Sequence, residues 1–257
     1  DAARWEHALA LFAELPRRAC APSAVTFGAA IGAAGHGHRW IQALALLRAF
    51  CARRRGAMLG GSVAGSRGGF ADDGIIVCNQ ALAAFEAAHM WELALWLWGD
   101  MQSEGPRPDV ISWNAALGAC ARGAAWPLAL DLLSCLTGKR GAVLGNAAPR
   151  PTLQSFNRAL RGLRHGHAAW DLAVGLLVTA RTLSFSPNAV SYAEFLLLLA
   201  GDGPRESGRW RTALLVLADM RRQAVPVGVE SLRAAHAACG TAQQAPGTAR
   251  LTEELWR

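Results

Sequence analysis

The sequence predicts an all-α protein, an α-solenoid of stacked helix–turn–helix repeats. Three observations predict it. One pattern recurs as AVTFGAAIGAAG from Ala24, GIIVCNQALAAF from Gly74, DVISWNAALGAC from Asp109 and NAVSYAEFLLLL from Asn188, with weaker copies TLQSFNRALRGL from Thr152 and GVESLRAAHAAC from Gly228. A second pattern follows: RWIQALALL from Arg39, MWELALWLW from Met90, AWPLALDLL from Ala125, AWDLAVGLL from Ala169 and RWRTALLVL from Arg209. The chain also opens with one, RWEHALALF from Arg4. The third observation is a closing signal, APS to Ser23, RPD to Asp109, RPT to Thr152 and SPN to Asn188.

Each element follows from the pattern that marks it. In the first helix, a small or hydroxyl residue precedes an aromatic in most copies, and about seven mostly apolar residues come after. In the second, Trp is followed three residues later by Ala and then by Leu or Val. Together with the apolar residue seven after Trp, these fall on one helical face. Proline in the closing signal cannot continue a helix, and the residue after it can cap the next one. Helix pairs of this length cannot bury their apolar faces alone, so they stack on neighbours. First helices then line one surface and second helices the other. Trp40, Trp91, Trp126, Trp170 and Trp210 share one register and read as inter-helix core, whereas Trp96 is off that register.

The bounds follow from the same signals. Residues 1–23 form a half repeat, and 24–74 a repeat with a flexible, Gly-rich insertion at about 51–73 (CARRRGAMLGGSVAGSRGGFADD). Repeats at 75–109, 110–152, 153–188 and 189–228 follow, and 229–257 is a partial terminal repeat. Together they make a single solenoid over 1–257.

Composition bounds the rest. The chain has 257 residues, 52% of them apolar, enough for a large core. Its net charge is +7, nearly all from arginine, since Lys139 is the sole lysine. A basic balance favours a polyanionic partner, although a GC-rich coding sequence also raises Ala, Arg and Gly together. No apolar run reaches the ~18–20 residues of a membrane span. The six cysteines form no C-x-x-C pair and read as buried thiols in a reducing compartment. A start at Asp1 without methionine reads as a fragment or processed form, with any targeting peptide out of view.

The uninterrupted unit, Ile75 to Asp109, is 35 residues long. With ISWN (Ile111–Asn114), IVCN (Ile76–Asn79) and QSFN (Gln154–Asn157), the Ala-Leu of the second helix, Met101 and Met220, and the closing P-D or P-N, it resembles the pentatricopeptide repeat family. Tetratricopeptide repeats, which bind protein, have a 34-residue period and lack the recurrent Asn. Tryptophan opening every second helix departs from the common plant pattern and looks like a divergent algal or protist branch. The resemblance implies a right-handed superhelical solenoid that binds single-stranded RNA at about one base per repeat. It also implies an organelle, chloroplast or alternatively mitochondrion, with other organelle RNA-processing proteins as further partners.

The resemblance also assigns roles. The fifth and last residues of a repeat read a base edge, so Asn79 pairs with Asp109, Asn114 with Thr152 and Asn157 with Asn188. A carboxylate accepts from uracil N3–H, and amides suit cytosine, which implies a short 5′-U-Y-Y core. Val25, Ile76, Ile111 and Val190 take the base-packing position, where Gln154 and Glu230 are weaker. Gly28 with Gly74 and Ala193 with Gly228 carry no readable pair. His36, Arg122 and His165, thirteenth in their units, fall where basic residues lie near the RNA backbone. Taken alone, one such Asn reads as an amide bonding locally near a helix start.

Nothing in the sequence points to catalysis or a cofactor. A deaminase signature H-x-E…P-C-x-x-C is absent, and the glycines at Gly60, Gly61, Gly68 and Gly69 lack the P-loop lysine. HGHRW at His36 and HGHAAW at His165 suggest a split metal site, but units three apart lie roughly 25–30 Å from each other at ~8–10 Å per packed helix. Zinc ligands lie about 2 Å from the ion, so the two stretches are repeat markers. The alternative function is a protein-binding helical scaffold, tetratricopeptide-like or ribosome-associated, without RNA readout.

Overall fold

The computed structural model describes residues 2–15, 18, 20–59, 69–103, 105–138, 149–164, 170–201 and 209–240. Among the described residues every regular element is a helix. Two compact units are distinguished, Asp1–Arg150 and Pro151–Arg257, and each is described by itself.

The first unit holds α1 (Ala2–Glu14), α2 (Ala24–His36), α3 (Trp40–Leu59), α4 (Gly69–Ala87), α5 (Trp91–Ser103), α6 (Val110–Arg122) and α7 (Trp126–Leu136). α4 packs between α2 and α6, while α3, α5 and α7 each pack on the first helix before them. The core runs through Phe27, Ile31, Leu47, Val77, Leu82, Phe85, Leu97 and Met101. The second unit holds α8 (Leu153–Leu163), α9 (Trp170–Thr182), α10 (Ala189–Leu199), α11 (Arg209–Arg222) and α12 (Val229–Gly240). Here α10 packs between α8 and α12, and Phe156, Leu160, Leu163, Tyr192, Phe195 and Leu196 are buried.

The expected flexible insertion is helical at both ends. α3 runs on through Cys51 to Leu59, and α4 begins at Gly69, which places Gly74 inside it. After Cys51 the residues are mostly good helix formers, and the single Gly56 costs only about 1 kcal/mol. Residues 60–68 lie outside the described set.

Alanine three residues after the tryptophan is a fully buried position of α3, α5, α7, α9 and α11, whereas Ala8 of α1 is half-buried. Ala43, Ala94, Ala129, Ala173 and Ala213 are all 0% exposed. A methyl group there lets two helix backbones come close. The Leu or Val after it, expected on the same buried face, is only half-buried at Leu44 and Leu95, and Val174 is exposed. Trp40, Trp91, Trp126 and Trp170 are half-buried rather than fully enclosed, and Trp96 is exposed. Trp40 and Trp91 pack against the first unit's core. The side chain of Trp210 lies outside the described set.

Two tryptophans explain two glycines. A Cβ on Gly37 would lie 2.7 Å from the Trp5 ring, and one on Gly123 would collide with Trp91. The glycine of the first HGH stretch is therefore there because the preceding second helix lays an indole on the turn. His38, His89 and Ala124 take positive φ of 53°, 60° and 58° at the same point of their repeats. The second stretch, His165–His167, lies outside the described residues.

The cysteines are less uniform than expected. Cys78 and Cys120 are buried, Cys51 and Cys135 are half-buried, and Cys20 is exposed in the connection between α1 and α2. Burial pushes the Cys78 thiol up to about 12 and that of Cys120 up to about 11, so both stay protonated.

Candidate nucleic-acid interface

The exposed surface of the first helices has an unusual composition. Val25, Ile76, Ile111 and Val190, each the second residue of its repeat, are 62%, 43%, 62% and 50% exposed. Stiff apolar side chains recur here in one register while the fourth residue of each repeat, Phe27, Cys78, Trp113 and Tyr192, turns into the core. Single exposed apolar residues are ordinary; the repetition at one register position is what marks this face.

One helical turn on from Ile76, on the same face, stands Asn79. It meets Asp109, the residue that caps α6. Asp109 Oδ1 accepts from the Ser112 backbone N–H at 2.8 Å, and the Asp109 N–H donates to Ser112 Oγ at 3.3 Å. This reciprocal capping satisfies donors at a helix start that would otherwise be orphaned. Asn79 Nδ2 donates to both carboxylate oxygens, at 3.2 and 3.3 Å, and Asn79 Oδ1 accepts from Ser112 Oγ at 2.5 Å.

The second unit repeats the arrangement. Asn188 caps α10, its Oδ1 accepting from the Ser191 N–H at 3.0 Å and its N–H donating to Ser191 Oγ at 3.2 Å. Ser191 Oγ donates to Asn157 Oδ1 at 2.7 Å and lies 3.1 Å from Asn188 Oδ1. Asn79, Asp109 and Asn157 are half-buried, and Asn188 is exposed.

Within each unit the structure thus brings together one pair expected to face a base, Asn79 with Asp109 and Asn157 with Asn188. Of the third expected pair, Asn114 belongs to the first unit and is buried at 6% exposure. Thr152 belongs to the second unit, where its N–H donates to Ser155 Oγ at 3.1 Å. Gln154, at the base-packing position of α8, is exposed.

The expected backbone contacts differ among themselves. His36 is exposed, its Nδ1 2.7 Å from Gly32 O. The Arg122 guanidinium lies 3.6 Å from Glu86 on α4, so part of its charge is already answered. His165 lies outside the described residues. A different ion pair joins α8 and α10, where buried Glu194 accepts from Arg161 at 2.6 and 2.8 Å, with Arg164 at 3.6 Å.

Ser112 and Ser191 were not singled out as site residues by the sequence. The signal was present as a hydroxyl residue second in ISWN and VSYA, and in QSFN alike, which is third in each repeat. Capping explains it without any ligand, so only the bonds to Asn79 and Asn157 reveal more.

No protein-family model matches the sequence, and no curated protein matches it. The crystal structure of the pentatricopeptide repeat protein PPR10 from maize matches over 98% of this chain, with a TM-score of 0.55 and 22% identity. The fold is a pentatricopeptide-repeat fold. This chain covers 36% of PPR10. Two structures of PPR10 in complex with an 18-nt psaJ RNA element match with TM-scores of 0.47 and 20% identity, over 98% of this chain and 41% of theirs. Among the described residues, the first helices carry every residue of the candidate interface apart from the caps that precede them.

Proposed function

We propose that the chain binds single-stranded RNA, about one base per repeat, through the exposed face of its first helices. The observation that carries this is a juxtaposition. An exposed Val or Ile in one register stands one turn from, or two residues beyond, a solvent-facing amide–carboxylate or amide–amide pair. A flat apolar base face beside a hydrogen-bonding edge is the ligand such a surface complements. Asn79 with Asp109 favours uracil, whose N3–H the carboxylate accepts, and Asn157 with Asn188 favours a pyrimidine with cytosine preferred. Asn114 with Thr152 supplies the middle pyrimidine by repeat register alone. His36, Arg122 and His165 contact the backbone. By family likeness, the role is that of an adaptor without a catalytic step, in a chloroplast or mitochondrion. It serves in transcript processing, stabilisation, editing or translation alongside other RNA-processing proteins.

The test is binding of a uridine- and cytidine-rich single strand by the wild type and by Asn79→Ala/Asn114→Ala/Asn157→Ala. Loss of base preference in the variant, with affinity that falls steeply as salt rises, supports the reading. A variant that keeps its preference overturns it. A second reading, a protein-binding scaffold, draws on the exposed Ile41, Trp96 and Leu215 of the second helices. It expects no RNA binding beyond a sequence-blind electrostatic background.

A further inference from the structure

The two Asn–cap pairs share a third member, a serine that points away from solvent. Ser112 is 0% and Ser191 1% exposed. Each serine has one hydroxyl proton to give, and its destination is settled by the neighbours. Ser112 Oγ already accepts from the Asp109 N–H. The Asp109 carboxylate offers acceptors only, so the end of the Asn79 amide facing it must be the NH2 group. The other end is then the carbonyl oxygen, and at 2.5 Å it is nearer to Ser112 Oγ than the other acceptor in reach, Asp109 Oδ1 at 3.0 Å, so it takes the proton. In the second unit Asn188 Oδ1 is satisfied by the Ser191 N–H. The hydroxyl proton goes to the nearer oxygen, Asn157 Oδ1 at 2.7 Å against 3.1 Å.

We propose that Ser112 and Ser191 are specificity-determining positioning residues: each ties the carbonyl of Asn79 or Asn157 inward, so that the amide can offer a base only its NH2. The proposal rests on the RNA-binding reading above. With the carbonyls tied, the first pair presents one donor, Asn79 Nδ2, beside one acceptor, Asp109 Oδ2. That matches a base edge carrying an acceptor next to a donor, as uracil does with its carbonyl and N3–H. The second pair presents two donors, Asn157 Nδ2 and Asn188 Nδ2. That matches an edge with two adjacent acceptors, as cytosine has at N3 and O2. An untied Asn157 could turn over and present its oxygen, and the pair would then accept uracil as well as cytosine. Burial of the serine matters because no water can replace its hydroxyl. Val77 takes the same repeat position in α4 and Thr26 takes it in α2. A Thr hydroxyl therefore has a precedent in this fold at that place.

The test uses the full chain and a single-stranded RNA pool randomised between uridine and cytidine, with bound strands sequenced. For Ser191→Ala the ratio of cytidine to uridine opposite Asn157 should fall by roughly threefold to tenfold, the range of one hydrogen bond. The ratio opposite Asn79 should stay as in the wild type; Ser112→Ala should move the ratio opposite Asn79 less, because the Asp109 carboxylate still holds the Asn79 NH2 toward itself. Ser191→Thr, which keeps a hydroxyl, should retain the preference, and Ser191→Cys, a weak donor of similar volume, should lose it. The Cys variant keeps the question open to measurement if the Ala variant folds poorly. A serine that only capped its helix would lower affinity for all strands alike and leave the ratio unchanged, which overturns the proposal. Asn157→Ala separates the two levels of argument. If it removes the preference and the serine variants do not, the serine proposal alone fails. If it changes nothing, the RNA-binding reading fails and takes the serine proposal with it.

Discussion

The Asn79–Asp109 and Asn157–Asn188 sites share a backbone plan and differ in four side chains. The caps differ by a charge, carboxylate against amide. Flanking the pair, the first has Ile76 and Ile111, whereas the second has Gln154 and Val190, all four exposed. Behind it, Cys78 supports Asn79, and Phe156, 1% exposed, supports Asn157. The serine and the capping geometry are common to both. What varies is thus the surface offered outward and the depth of core beneath, while the device that orients the amide is held constant. A repeat fold can change its ligand by altering caps without altering its stacking.

The largest contrast should lie beneath the sites. Phe156→Ala removes a buried ring that packs against Phe185 with centroids 5.8 Å apart, and should cost about 3–5 kcal/mol. Cys78→Ala removes one sulfur and should cost roughly 1 kcal/mol. Chemical denaturation of both variants measures the difference. Equal losses would mean that Phe156 is not the centre of its unit's core.

The caps come next. Asp109→Ala deprives the Ser112 N–H and the Asn79 amide of their acceptor and should cost about 1–2 kcal/mol. Asn188→Ala removes one cap acceptor and should cost about 1 kcal/mol. The sharper experiment is Asp109→Asn, because Asn and Asp cap almost equally well. Stability should stay within about 0.5 kcal/mol, while the first site, now with two amides, should shift from uridine toward cytidine in the same binding selection. A variant that keeps its uridine preference would show that the carboxylate does not read the base.

Much of this was legible in the sequence, for reasons that are local. The Trp and the Ala three residues later mark helix spacing directly, since the Ala methyls of α3, α5, α7, α9 and α11 are fully buried, while Ala8 of α1 is half-buried. Proline followed by a capping residue placed α6, α8 and α10 correctly, because those signals act on the few residues around them. The extension of α3 was not legible, because Gly-rich flanks masked a helix-forming stretch from Cys51 to Leu59. Nor was the burial of Asn114, which depends on what packs against α6 rather than on its own segment. The serine bonds to Asn79 and Asn157 span 33 and 34 residues. A capping pattern cannot announce a partner that far away.

The smallest difference between the two units is a pH response that the second should show through a network around buried Tyr192. Tyr192, fourth in its repeat, donates to Asp219 Oδ2 at 2.7 Å, and Arg181 donates to both Tyr192 Oη, at 3.0 Å, and Asp219. The residue in that repeat position of α6 is Trp113, which packs edge-on against Trp98 and carries no titratable group. Burial alone would raise the Asp219 carboxyl, but the hydrogen bonds from Tyr192 and Arg181 outweigh it and hold the group below the ordinary aspartate range. A depressed folded-state value means that its stabilisation is complete above the usual unfolded-chain value of about 4 and is lost as pH falls through the folded one. Tyr192 is shifted the opposite way: burial first, then the Asp219 bond, raise it. Its share is therefore complete below about 10 and lost as pH rises through the higher folded value. Unfolding followed by a probe in α10 should show both shoulders. Asp219→Asn should remove the acid one and reduce the alkaline one, since Tyr192 then loses its carboxylate partner. An unchanged acid shoulder in that variant would place the titrating group elsewhere.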